Sequence, residues 1–260
     1  MKRSVVGLLI CTVAFAFATA ATAQAQKPIK ALLITGEDVM PAHDWAKTSP
    51  ELKKILDDSK KFEVTIVEIN KNPNILDSAD DLKPFDVIVQ NFHNIKTPAI
   101  SDKAKENLLS FVREGKGFVC FHMSSASWQD WDEWHKLVGR WWIKTSDKEK
   151  RSGHGPRGKY MAKVVAPDNP IARSIKDFEV DDELYAKLVG DEKINVLVEA
   201  DSEWSKKTEP LVFTKDYGKG RVYHNCFGHD LKALENPSFR RLWVRGVEWA
   251  ATGNVTPRIK

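Results

Sequence analysis

The stretch Gly115-Lys116-Gly117-Phe118-Val119-Cys120-Phe121-His122-Met123-Ser124-Ser125 constrains the fold more than any other. An apolar run held between glycines and a histidine–serine turn is the pattern of a strand covered on both faces. In a globular chain that means the interior of a parallel sheet. Open α/β sheets bind their ligands beyond the carboxyl ends of the strands. His122 stands at that end of this strand.

The surrounding chain repeats the alternation such a sheet requires. Strands are predicted over residues 30–35, 62–68 and 86–92, each rich in β-branched or aromatic residues. Ser49 with Pro50 marks one helix start, and Ser101 opens a second helix that leaves through Gly115. Asn236-Pro237 opens a last helix that ends at Gly253. Further strands are expected over 160–165, 194–199, 211–214 and 221–226. Strand–helix alternation of this kind predicts an α/β fold with a doubly wound, mostly parallel sheet. Five of the nine tryptophans crowd into 124–162, and Trp128, Trp131 and Trp134 are spaced to share a helical face. The 124–210 region is read as an elaboration of the sheet.

Lys2 and Arg3 precede an uncharged apolar run, Val5 to Ala18, and residues 21–25 carry small residues at alternate positions. These predict a secretory signal over 1–25, cut after Ala23 or Ala25, with one domain over 26–260 and a periplasmic or secreted location. Loss of Lys2 and Arg3 takes the net charge from +4 to +2. With cations and anions interleaved, no basic stripe exists, so nucleic acid is excluded as a partner, and so is a membrane once the signal is cut. A homo-oligomer stays open. Cys120 and Cys226, both in apolar strand contexts, are read as buried free thiols.

Of the seven histidines, His43, His93 and His122 follow predicted strands, and His224 and His229 lie in or just after the last one. Parallel strands put such residues on one edge. Convergent imidazoles suit acid/base work or a divalent metal, with Glu183, Asp230 or Asp44 as carboxylate partner. His135 and His154 fall outside this set, and His224 reads equally as a core residue. There is no H-E-x-x-H, P-loop, G-x-S-x-G or G-x-G-x-x-G signature.

His43-Asp44-Trp45, the Gly115–His122 run, Gly153-His154-Gly155, Asp182-Glu183-Leu184-Tyr185, and Tyr217-Gly-Lys-Gly-Arg-Val-Tyr223 leading to Gly228-His229-Asp230 together resemble the ThuA-like (trehalose utilisation) family over roughly residues 29–253. The resemblance implies a class I glutamine-amidotransferase-like fold, a flavodoxin-related three-layer sandwich. It also implies catabolism of disaccharides through 3-keto sugars. That fold usually carries a cysteine nucleophile where this chain has His122, so amidotransferase activity is not expected. Related sequences often carry a further histidine near Arg157, where this chain reads Gly158-Lys159, so His154 is not placed in the metal set.

The resulting expectation is an exported enzyme acting on a sugar or 3-keto glycoside by histidine acid/base chemistry, with or without a divalent metal. His122 and His229 would be the base or metal pair, with Glu183 as their carboxylate. Substrate contacts would come from His43 (a substrate or metal contact), Trp45, Trp128, His154, Arg157 and Asp230, with the two tryptophans as stacking platforms. A non-catalytic carbohydrate-binding protein, or a metal-dependent hydrolase of another small molecule, are the alternatives.

Overall fold

The structure, a computed structural model, describes residues 27–96 and 99–256. The signal expected over 1–25 lies outside the described residues. The chain runs β1 (Ile29–Thr35), α1 (Trp45–Asp58), β2 (Phe62–Glu68), α2 (Ala79–Leu82), β3 (Val87–Gln90), α3 (Asp102–Arg113) and β4 (Gly117–Phe121). A 3-10 turn, His122–Ala126, leads to α4 (Asp132–Val138). Then come β5 (Gly153–His154), β6 (Gly158–Val164), β7 (Phe178–Asp182), β8 (Tyr185–Ala186), β9 (Asn195–Ser202), β10 (Lys207–Tyr217) and β11 (Gly220–Asn225). The helices α5 (Leu231–Leu234) and α6 (Pro237–Thr252) close the chain.

Nine strands make one sheet in the order β2-β1-β3-β4-β11-β10-β9-β6-β7. The first five are parallel and have the strand order of flavodoxin-like sheets. The other four continue the sheet antiparallel. β5 and β8 form a separate two-stranded ribbon. The fold is thus the expected α/β three-layer sandwich.

Alternation along the strands explains the layers. Ala31 and Leu33 of β1 face a core filled by Leu52 and Leu56 of α1 and by Leu242, Trp243 and Val247 of α6. Leu32 and Ile34 face the opposite core, with Leu108 and Val112 of α3 and Leu137 and Val138 of α4. Each such buried side chain contributes roughly 1.5–3 kcal/mol relative to exposure. No helix among the described residues is long and apolar enough to cross a membrane.

The helix ends follow local chemistry, with one correction. Ser101 accepts from Ala104 N at 3.0 Å, and the chain leaves α3 through Gly115 at φ +124°. Asn236 accepts from Ser238 N and Phe239 N ahead of α6, which stops at left-handed Gly253. The first helix, however, begins at Trp45 and carries Ser49 and Pro50 inside it. Ser49 is buried and donates to Thr35 Oγ1 at 2.7 Å while accepting from Asn91 Nδ2 at 2.9 Å. Its hydroxyl ties α1 to the carboxyl ends of β1 and β3 and is not available as a cap.

The tryptophan reading is corrected too. Only Trp134 lies within α4; Trp131 is its N-cap, and Trp128 precedes it at φ +46°. Trp128 is buried against Phe92 at 5.5 Å and Trp134 at 4.6 Å between ring centroids. It is a core residue and not a stacking platform, because the aromatic layer over β3 and β4 closes around it.

Candidate functional site

Beyond the carboxyl ends of β1, β4 and β11, His43, His122, Glu183 and His229 converge. Each offers one ligand atom, and these atoms lie within 4.8 Å of one another. His43 comes from the loop after β1, His122 from the turn directly after β4, and His229 from the loop after β11. Glu183 joins β7 to β8. Glu183 Oε2 is 3.2 Å from His229 Nδ1, 3.5 Å from His43 Nε2 and 3.8 Å from His122 Nε2. From its other oxygen, Oε1, His154 Nε2 is 3.5 Å away.

Backbone constraints hold these side chains. His122 takes a left-handed φ of +46° as β4 breaks into the 3-10 turn, a conformation uncommon outside glycine. Asp182, fully buried, accepts from Gly228 N at 2.7 Å, His229 N at 3.1 Å and Glu183 N at 2.9 Å. One carboxylate therefore sets the backbone on both sides of the cluster. Gly228 passes so close to Phe121 that a Cβ would lie 2.2 Å from its ring, at φ +110°. Only glycine brings the His229 loop over β4.

The electrostatics separate the members of the cluster. Burial lowers the basicity of His43, but Asp38 and Glu183 outweigh it and raise its pKa to about 9. Burial, followed by the charge on His43, drives His122 well below its ordinary value, so its ring is neutral. Burial opposes ionisation of Glu183, yet the surrounding imidazoles, His229 and His43 first, hold its carboxyl well below the usual range. Burial raises Asp182 to about 7 against the three N–H groups it accepts.

The donor set fits a divalent first-row metal ion such as zinc. Three imidazoles and a carboxylate are its usual ligands. His43 Nδ1 faces Asp38 Oδ1 at 3.2 Å and His122 Nδ1 faces the Cys226 carbonyl at 2.7 Å. Such outer partners orient the opposite ring nitrogen toward a metal. Buried His43 Nε2, Glu183 Oε2 and His229 Nδ1 face one another yet have no hydrogen-bond partner. A buried polar atom without a partner costs roughly 1–3 kcal/mol, and a shared cation would satisfy all three.

The remaining expected residues divide. His154 stands at the cluster, with its Nδ1 2.7 Å from Gly155 O and a side chain 34% exposed. Trp45, half-buried, opens α1 two residues after His43. Arg157 and Asp230 bind each other at 3.0 Å, Arg157 also holds Asp181, and Asp230 caps α5 through Ala233 N. Their charges lock the loops that carry His154 and His229. Asp44 pairs with exposed Lys47 at 2.8 Å and takes no part in the cluster. His224 is a core residue bonded to Val138 O at 3.1 Å, and His135 stacks on Trp141 at 3.6 Å. Cys120 and Cys226 are buried and free.

Two participants, Asp38 and Tyr185, escaped the sequence reading, whereas His93 was among the expected imidazoles and lies just outside the cluster. Asp38 serves His43. Tyr185 donates its hydroxyl to His122 Nε2 at 2.8 Å. His93, 3.8 Å from Asp38, accepts from Lys144; burial and the Lys144 charge lower it to about 4. The rule that a ligating histidine needs an acceptor on its other nitrogen could have pointed to an acid near His43; nothing local marks Tyr185.

The chain is similar to solved ThuA-like proteins. One from Parabacteroides merdae is 28% identical, with 90% of this chain and 93% of that one covered and a TM-score of 0.77. Another, from Bacteroides uniformis, is 16% identical over 89% and 96%, with a TM-score of 0.69. The glutaminase domain of a Trypanosoma brucei CTPS shares the fold at 8% identity over 88% and 96%, with a TM-score of 0.50. No curated protein matches. Residues 30–250 match the ThuA family, described as trehalose utilisation, which associates the chain with carbohydrates. The chain belongs to the ThuA family.

Proposed function

We propose that this protein is an exported carbohydrate-catabolic enzyme that acts on a sugar or 3-keto glycoside by proton transfer beside a carbonyl, assisted by a divalent cation. The observation that carries the reading is the convergence of His43, His122, His229 and Glu183, with three buried ligand atoms that face one another without forming a hydrogen bond. His43 Nε2, His122 Nε2, His229 Nδ1 and Glu183 would hold the cation. It would supply Lewis acidity to an oxygen of the substrate.

A 3-keto group acidifies the neighbouring C–H, so a positioned base suffices to start elimination or rearrangement. With three histidines committed as ligands, His154 is the base. The Gly155 carbonyl, an acceptor only, fixes the proton on its Nδ1 and leaves Nε2 with a free lone pair at the cluster. His154 is also the member most open to solvent at its side chain. Half-buried Trp142 walls the same corner at 6.1 Å from its ring, an aromatic face suited to a sugar.

Metal analysis of the purified protein, followed by incubation with 3-keto and ordinary disaccharides and mass spectrometry of the products, tests this. A bound cation and cleavage confined to the 3-keto substrates are expected. Zinc, manganese, nickel and iron all absent and unreleasable, with every substrate intact, would sink the reading. Export rests on Lys2, Arg3 and the run to Ala25; the mass of the mature protein, beginning at Gln24 or Gln26, checks it.

A further inference from the structure

Two partners compete for Nε2 of His122. Its Nδ1 lies 2.7 Å from the carbonyl oxygen of Cys226, which can only accept, so Nδ1 carries the ring proton. Nε2 is left with the one free lone pair. The Tyr185 hydroxyl, 2.8 Å away, donates to it. A cation held by His43, His122, His229 and Glu183 needs the same pair of electrons. One atom cannot serve both.

The Tyr185 ring has no room to retreat. It is 1% exposed, stacked on His122 at 4.3 Å, and met by Trp142 at 4.7 Å. Its backbone is paired with His154 across the β5–β8 ribbon. Only the O–H bond can turn. The other acceptor it meets among the described residues is the Met123 sulfur at 3.7 Å, a weak one. A hydroxyl displaced from Nε2 therefore needs an acceptor of comparable strength. An oxygen of a molecule brought to the cluster supplies it.

We propose that Tyr185 is a catalytic residue of this site: its hydroxyl caps His122 Nε2 until a divalent cation takes that nitrogen, then donates to the carbonyl oxygen of the substrate. The inference rests on the metal reading above. In the reaction, His154 Nε2 takes the proton from the carbon beside the carbonyl. The C–H electron pair becomes the new C=C bond, and the C=O π pair moves onto oxygen. Tyr185 holds that oxygen by hydrogen bond and keeps its own proton, so the removed proton resides on His154. The preferred substrate is a ketone with an adjacent C–H.

Tyr185→Phe keeps the ring and removes the hydroxyl. Zinc alone is titrated, by chelator competition, into metal-free wild-type protein and into Y185F, and thermal unfolding verifies that the variant is folded. Because the variant has no competing donor, it should bind zinc about two- to tenfold more tightly. In protein labelled with 13C at the ζ carbon of its four tyrosines, the signal missing from Y185F should move when zinc is added to the wild type. Equal or weaker zinc binding by folded Y185F, or an unmoved Tyr185 signal, overturns the proposal and leaves the metal reading standing. Wild-type protein that takes up no zinc overturns both. Should Y185F not fold, the wild-type signals decide alone, with Tyr160, whose hydroxyl donates to the Glu183 carbonyl at 3.3 Å, assigned through Y160F: if zinc moves none of the other three, the proposal fails, and if it moves one of them, it stands.

Discussion

Asp182 accepts the backbone N–H of His229 at 3.1 Å from across 47 residues of sequence. The same carboxylate holds Gly228 and Glu183, so one buried group places two of the four converging side chains. Replacing Asp182 by Ala strands three buried donors. The expected loss is about 3 kcal/mol or more of stability, with zinc affinity falling alongside it. Chemical denaturation and chelator competition on one preparation measure both; a variant as stable as wild type would show that water replaces the carboxylate.

Glu183 and His154 should separate binding from chemistry. Glu183→Gln removes the negative charge that His43, His122 and His229 share and should weaken zinc binding by roughly tenfold or more, at least the effect of losing a residue that only orients a ligand. His154→Gln should leave zinc binding within about twofold and lower turnover of a 3-keto disaccharide by about 10²–10⁴, the usual contribution of a general base. Zinc competition and steady-state rates distinguish the two, and equal loss of zinc by both variants would place His154 among the ligands.

Trp128 provides a check on the core assignment. Its ring fills the layer between Phe92 and Trp134. Trp128→Ala should cost about 3–5 kcal/mol, read as a lowered unfolding midpoint, whereas a sugar platform would instead lose affinity at near-constant stability.

Acid should destabilise the fold through His224. Burial lowers this ring to about 4, and the nearby Arg140 charge adds to that effect, against the opposing bond to Val138 O. Above pH 6.5 the imidazole is neutral in both folded and unfolded chains. Between 6.5 and about 4 the unfolded chain takes the proton first, so stability is complete above pH 6.5 and is lost as the pH falls toward 4. The loss is on the order of 3 kcal/mol from this group; His93, lowered in the same direction, adds to it. His224→Phe should flatten part of the dependence in melts run from pH 7 to pH 4. A variant that tracks the wild type would assign the effect elsewhere.

Much of the fold was legible because its signals are local. The Phe118–Phe121 run, the Ser101 cap and the Asn236-Pro237 start each reflect the residue's own neighbours. The start of α1 was misread because the better-looking cap, Ser49, is bonded to Thr35 and Asn91 from other strands. The Trp128 spacing misled for a related reason. A period of three describes residues that share a helix, and the chain turns at Trp128 and Trp131 before the helix begins.

Sequence alone determined the α/β class and the placing of His43, His122 and His229 just beyond strands, since apolar runs and turn residues dictate where strands end. Why Glu183, and not Asp44 or Asp230, joins them is a matter of the tertiary structure alone. Glu183 enters while Asp44 and Asp230 pair with Lys47 and Arg157, and Tyr185 is brought onto His122 from 63 residues away. Strand ends are set by short-range propensity. Which side chains then share a space depends on the order of strands in the sheet and on burial, which belong to the assembled layers rather than to any segment.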